Sequence, residues 1–480
     1  MEKESDVKTS SSFGRMVARP RRDFLRRVLG ATAAGWGASS IGTGLSAGAA
    51  PVSSEPPGLP PGNDVFLEEL ERASFQYFLE AAHPRTGQVL DRRRADGADD
   101  RRSVASIAAT GFGLTGLCIA DRRGWIGTGE AHERVLRTLR HLAHEMPHVR
   151  GFFYHFHDWA TGDRVWKCEL SSIDTAILMC GVLCCRSHFN GREGREIRRL
   201  ATEMYERVEW PWMLNGGATF SMGWFPEASP RGVAGDGEGK AGVEGEGGGA
   251  DGGRFLENRW DHYCELMMLY LLALGSPTHP VGPETWSAWS RPVREFHGHR
   301  FVWSPAPLFV HQFSHAWFDF RGRRDAGGVD WFQNSMAATL AHRAWCLERS
   351  SRFPRWSEDL WGVTSSDSEK GYTGWGGPPD SGPLDGTIVP CAAAGSMPFA
   401  PVECLRTLRH QRERYGDRIW TRYGFVDAFN PHTGWVNPDV IGIDVGITML
   451  MAENARTGLV WRTMGSDGDP RRGMKRVFRT

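Results

Sequence analysis

Two acidic clusters stand at the entrances of hydrophobic runs in this chain. Trp166, Glu169 and Asp174 lead into an apolar stretch from Ala176 to Leu183. Trp260, Asp261, His262, Tyr263, Cys264 and Glu265 lead into a second, from Leu266 to Leu274. Paired carboxyls beside aromatic rings suit the cleavage of a glycosidic bond. One carboxyl protonates the leaving oxygen, the other acts on water or on the sugar, and sugar faces stack on aromatic side chains. Structural roles are open to the same residues. Ser171 or Ser172 can cap the following helix, and Asp174 in its first turn is favoured by the helix dipole whatever its chemistry. Glu169 precedes the cap and has no such role. Asp261 can itself be a cap. Glu265 lies one turn on, facing an otherwise apolar helix. A carboxyl set in an apolar wall resists ionisation, which is what a general acid needs.

Further candidates lie along the chain. The run Phe152 to His157 is aromatic and carries His155 and His157. A His-x-His pair can bind metal, but no third ligand is identifiable. Tyr154 and His155 therefore read as the wall of a cleft. His311 and His315 are four apart, which places them on one helical face. Gln312 and Phe313 stand where a zinc-protease helix would carry Glu, so both histidines, with Trp317, read as contacts to sugar hydroxyls. Trp166, Trp260, Asp261, Tyr263 and Trp375, the last in a Gly/Pro-rich loop from Gly371 to Asp385, complete the expected substrate contacts. Asp444 opens the last long helix, as a cap or as a second carboxylate facing the cleft. Asp427 and Asp439 precede it. No nucleophile elbow, P-loop or dinucleotide fingerprint is present, and hydrolysis of this kind calls for no cofactor or metal.

Composition narrows the partners. Acidic and basic residues balance at 57 each in 480 residues, so charge gives no sign of nucleic acid or an anionic membrane surface. The 20 Trp exceed ordinary usage, and those beside Gly, Pro, Asp or His read as a carbohydrate platform. The nine Cys follow no zinc spacing and read as buried thiols, with one disulfide left open.

Residues 1–49 read as a twin-arginine signal peptide: Arg21-Arg22-Asp23-Phe24-Leu25, a Gly/Ala-rich apolar stretch, then Ala47-Gly48-Ala49. The expected partner during export is the twin-arginine translocase, and the expected location is periplasmic or extracellular. No later run is long enough for a stable membrane span after signal removal. Residues 50–63 read as a linker, and 64–461 as one domain. A Gly-rich insertion at 229–253 is too poor in apolar residues to pack and reads as disordered. Residues 462–480 read as a C-terminal tail.

Positioning the acids falls to helices. About twelve are expected, from 64–82 through 104–123, 129–145, 171–188, 193–208, 261–274, 283–295, 311–319, 331–348, 356–362 and 398–414 to 444–456. Short strands are expected only around 151–168, 219–225 and 299–303. Helices that are apolar all round (104–120, 175–185, 264–274) must be buried, and they alternate with amphipathic ones. An inner ring inside an outer ring, the (α/α)6 toroid, has that pattern. A helix-pair solenoid needs a fixed repeat, which is absent.

Several runs carry a family resemblance: Ser106 to Thr115, Gly151 to Phe156, Cys168 to Ala176, Leu271 to Pro280, Ala392 to Pro401, and Tyr423 to Asn430. Across about residues 64–461 the chain resembles the glycoamylase-like glycoside hydrolases of family 144, which include bacterial endo-β-1,2-glucanases. The resemblance implies an all-α (α/α)6 toroid, an inverting mechanism, a poly- or oligosaccharide substrate, and catalytic acids at Glu169, Asp174, Glu265 and Asp444. Glu265 is the expected acid, and any of the other three the base. The chain departs from the pattern in its Gly-rich insertion, in Val445-Gly446-Ile447 where relatives carry Gln-Gly-Pro, and at His262 and Cys264. These departures bear on subsite shape. The alternatives are exo attack, an α-glucan substrate, or a sugar-binding toroid without catalysis.

Overall fold

The computed structural model describes residues 59, 62–99, 101–227, 252–305, 307–379 and 382–479. The expected signal peptide, nearly all of the linker, and residues 229–251 of the insertion lie outside these.

Twelve helices of five residues or more carry the described fold. They are α1 (Asp64–Ala81), α2 (Ile107–Arg123), α3 (Thr128–His144), α4 (Ser172–His188), α5 (Arg195–Glu206) and α6 (Met267–Gly275). There follow α7 (Trp331–Glu348), α8 (Pro390–Ala394), α9 (Pro401–Tyr415), α10 (Gly442–Arg456), α11 (Leu459–Ser466) and α12 (Gly468–Val477). Sequence sets most of these boundaries. Ser106 caps α2 by accepting from Ala109 N, and Gly124 closes it at φ 69°, a left-handed position that glycine adopts without Cβ strain. Ser171 and Asp330 cap α4 and α7 in the same manner.

Helices α2, α4, α6, α8 and α10 are buried almost throughout and form the inner ring, with two 3-10 turns, Leu308–His311 and Phe313–Ala316, in the remaining inner position. Helices α1, α3, α5, α7 and α9 are amphipathic or half-exposed and pack outside them. The ring closes where α10 packs on α1 and α2. The expected (α/α)6 toroid is the fold.

The expected 356–362 helix is instead a turn closed by a Ser357–Leu360 bridge, and three further differences from expectation have local causes. The 283–295 segment forms only a single helical turn, Glu284–Ser287, before Arg291 and Pro292 lead into a hairpin (Val293–Phe296 with His299–Val302). The 311–319 segment forms 3-10 turns, so His311 and His315 do not share an α-helical face. The expected tail is part of the fold. Helix α12 packs along α6, where a Cβ on Gly473 would lie 2.0 Å from Leu271 O. Arg472 and Arg476 donate to Gly275 O and Leu274 O, filling orphan carbonyls at the end of α6. α12 thus takes the outer position that 283–295 leaves open.

Short strands sit at one end of the ring. The segment 104–106 pairs with 156–158, 170–171 with 223–225, and 439–441 with 92–94, and in each case an inner helix starts directly afterwards. All nine cysteines are buried and free, with the Cys118 and Cys185 sulfurs 3.6 Å apart. Among the described residues no helix is long and apolar enough to cross a membrane, and no group of three His, Cys, Asp or Glu side chains converges as a metal site.

Candidate active site

The N-terminal ends of α2, α4, α6 and α10 meet at one cavity. Its lining includes Ala108 from α2, Ile173, Asp174 and Ile177 from α4, Glu265 just before α6, Phe309 and Phe313 from the 3-10 turns, and Ile443 and Asp444 from α10. The cavity holds about 570 Å³, part of it open to solvent. Helix N-termini carry partial positive charge and stabilise carboxylates within the first turn. The ring therefore gathers acids at this end at little electrostatic cost.

Asp174 is held by its own cap. Ser171 Oγ accepts from Asp174 N at 3.2 Å and donates to Asp174 Oδ2 at 2.6 Å. The cap and the site, alternatives in sequence, coincide. His155 lies between two acids, with Nδ1 3.2 Å from Glu169 Oε1 and Nε2 3.5 Å from Asp174 Oδ2, and its ring stacks on Phe156 at 3.9 Å. Glu169 follows two consecutive left-handed residues, Trp166 at φ 54° and Lys167 at φ 48°. Non-glycine residues seldom adopt that conformation, and where they do it often marks a functional site. Glu265 is 6% exposed. Ser314 Oγ donates to its backbone carbonyl at 2.7 Å, fixing the end of the pre-helical segment. The neighbouring Cys264 thiol is pushed well up by burial and by the charge of Glu265.

Asp444 is buried in the first turn of α10 beside Asp427. Asp427 is held well above the usual carboxylate range by burial and by Asp444 and Asp367. Its Oδ2 accepts from Asn437 Nδ2 at 2.9 Å and from Asp367 N at 2.8 Å. Asp367 in turn ion-pairs with Arg92 at 2.6 Å.

Asp174, Glu265, Asp444 and His155 thus meet in one cavity, with Glu169 on the far side of His155. The expected aromatic contacts are placed elsewhere. Trp260, Tyr263, Trp317 and Trp375 are buried and committed to internal hydrogen bonds, to Ser172 Oγ, His311, Thr115 Oγ1 and Ser366 Oγ respectively. His311 and His315 are core residues: burial drives each down to about 3, so both are neutral, and His315 pairs with Ser335. Asp261 is exposed and pairs with His262. Tyr154 lies under the Arg164 guanidinium at 4.6 Å, and Trp166 packs on Phe156. The sequence reading missed Tyr372, Phe309, Phe313 and Ser365 in the lining. Tyr372, next to Gly371 in the loop already singled out by its Trp, was the detectable one.

A family model described as a putative glucoamylase matches residues 257–467. An exo β-1,2-glucooligosaccharide sophorohydrolase from Parabacteroides distasonis is 25% identical over 450 residues, covering 86% of this chain. The chain spans 58% of that relative's length. An endo-β-1,2-glucanase from Chitinophaga pinensis, solved with sophorotriose and glucose, superposes with a TM-score of 0.74 at 26% identity, over 88% of this chain and 99% of that one. A putative glucoamylase from Bacteroides uniformis gives 0.75 at 26%, over 88% and 98%. The glycoamylase-like resemblance carried by the sequence motifs is borne out, and so is the toroid.

Proposed function

We propose that this chain is an exported glycoside hydrolase that cleaves β-1,2-linked glucan with inversion at the anomeric carbon. One observation carries the reading: Asp174, Glu265 and Asp444 come from three different inner helix starts and face a single cavity with His155. The β-1,2 linkage is supported by the Parabacteroides sophorohydrolase and the Chitinophaga glucanase, both of which act on β-1,2-linked glucose chains. Export rests on the twin-arginine pattern at Arg21-Arg22.

Glu265 protonates the glycosidic oxygen as the bond breaks. The apolar wall of Phe309, Phe313, Ile173 and Ile443 excludes water from that side. A second carboxylate takes a proton from the attacking water on the opposite face of the sugar. Inverting enzymes separate the two carboxyls by about 6.5–9.5 Å to leave room for that water. Asp174 and Asp444 lie on helices either side of α2 and are the carboxylates available for this step. His155 bridges Glu169 to Asp174 and sets the orientation of both.

The test is hydrolysis of linear β-1,2-glucan beside soluble starch, with chromatography of products and their anomeric form followed by NMR. Release of β-1,2 oligosaccharides as α-anomers supports the reading. Initial products in the β-configuration would end the inverting mechanism, and cleavage of starch alone would end the linkage. Exo attack is a second reading, supported by the sophorohydrolase relative. It would release disaccharide alone from the first minutes, whereas endo attack gives a ladder.

A further inference from the structure

We propose that Asp427 positions Asp444: as a neutral acid it donates its Oδ1 proton to the Asp444 carboxylate, and so fixes Asp444 as the water-activating base. This rests on the hydrolase reading above and chooses among the carboxylates that reading leaves.

Asp427 is 3% exposed. Both neighbouring N–H donors, Asn437 Nδ2 and Asp367 N, fall on Oδ2. Oδ1 is buried and receives no N–H or O–H from a described neighbour. The Asp427 and Asp444 side chains are within hydrogen-bond reach of each other. Two adjacent buried carboxylates cannot both stay ionised, and a proton between them turns repulsion into a strong charge-assisted bond. An Oδ2 that already accepts two hydrogen bonds is the carbonyl oxygen of the acid, so the proton belongs on Oδ1. The other groups facing the pair do not supply a competing cation at Oδ1. Asp367 is acidic, and Cys391 carries a thiol pushed well up by burial and the Asp444 charge. Arg92 is occupied by Asp367 and Asp91, and Arg102 by Asp439. Burial and the two neighbouring aspartates raise Asp427, in the direction the geometry requires. Asp444, with one oxygen held from behind, presents its carboxylate to the cavity from the first turn of α10, where the helix dipole favours its charge.

An infrared difference spectrum between the wild type and D427N at neutral pH tests this without any substrate. A neutral carboxylic-acid carbonyl band present in the wild type and lost in D427N is expected. A carboxylate difference in its place overturns the proposal. D444N gives the same test from the other side. Its new amide donates to Asp427 Oδ1, Asp427 ionises and the neutral band disappears, whereas persistence of the band counts against the pair. In the glucan assay, D427A should lower kcat by about thirtyfold with KM within about threefold, since orientation acts on the chemical step. D427N, which keeps a donor toward Asp444, should recover most of that loss. A D427N enzyme as inactive as D427A would show that Asp427 works as an anion and would overturn the proposal. A wild type silent on β-1,2-glucan but showing the neutral band would end the substrate reading and leave the pair standing.

Discussion

At the scale of single residues, Glu169 and Glu265 stand out in the sequence because neither has a helical reason for its place, whereas Asp174 and Asp444 sit where the helix dipole favours any carboxylate. Glu265 sits against nine buried apolar residues of α6 with no helical reason to be there. Replacing it with Gln removes the proton and keeps the shape. Loss of a general acid costs about 10²–10⁴ in rate, so E265Q should lose that much kcat while calorimetry still detects bound oligosaccharide. Retained turnover would move the acid elsewhere. His155 acts through its neighbours. H155A frees Glu169 and Asp174, and kcat should fall by about tenfold or more, equivalent to roughly 1.4 kcal/mol, with circular dichroism unchanged. The aromatic contacts were less legible, for a physical reason. In a ring this densely packed, Trp260, Trp317 and Trp375 are core residues whose indole N–H groups tie adjacent segments together. Sequence shows a Trp beside a polar residue, and that pairing describes a buried Trp with its hydrogen-bond partner as well as it describes a sugar platform. Asp427 was visible as a residue, but its place beside Asp444 depends on a loop meeting the first turn of α10, which no local spacing encodes.

At the scale of helices, periodicity identified α2, α4 and α6 as buried members of the ring but not α8, and side-chain caps fixed the starts of α2 and α4. It failed where tertiary packing chose the element: 283–295 gave way to a hairpin, and α12 filled the vacancy. What periodicity cannot show is how closely two helices approach. α2 and α4 cross at Gly111 and Gly181, where a Cβ on Gly181 would lie 2.2 Å from Gly111 O. Backbone cannot yield there as a side-chain tip could. G181A gains about 1 kcal/mol of helix propensity, but overpacking typically costs about 1–3 kcal/mol and occasionally more. Here backbone meets backbone, so the upper end applies. Net destabilisation of about 2 kcal/mol in urea unfolding is expected. Activity should fall with it, because Asp174 rides on α4. Gly129 in α3 is the control: a Cβ there meets nothing within 4 Å, and G129A should leave stability unchanged or slightly raised. Equal effects at both positions would refute the crossing as the cause.

At the scale of the whole molecule, the toroid is closed by charge as well as by packing. Arg456 on α10 is almost fully buried and reaches α1 at three points: Asp64 at 2.7 Å, Glu68 at 2.8 Å and Glu71 at 2.8 Å. Arg123 on α2 holds Glu453 of α10 at 2.6 Å. Burial, and then Glu453, push the Glu71 carboxyl well above its usual range even with the two arginines present. A carboxyl raised in the folded state contributes stability that is present at low pH and is lost as pH rises through its folded value. Arg456 limits that loss by stabilising the ionised form. Asp64, held below its usual range by Arg456, and Glu68, held there against burial by the Trp125 indole N–H and then Arg456, behave in the complementary way: their contribution exists only once they are ionised. Removing Arg456 therefore acts in one direction through all three acids. R456A should destabilise the fold near neutral pH, modestly through the solvent-screened pairs to Asp64 and Glu68 and further through Glu71, whose ionised form it stabilises. The gap from the wild type should narrow in two steps as pH falls, first above the usual carboxylate range as Glu71 takes up its proton, then below that range as Asp64 and Glu68 do. Urea unfolding of both proteins across both steps measures it. A gap independent of pH would mean that Arg456 closes the ring by packing its stem between α1 and α10, and that the acids around it are incidental.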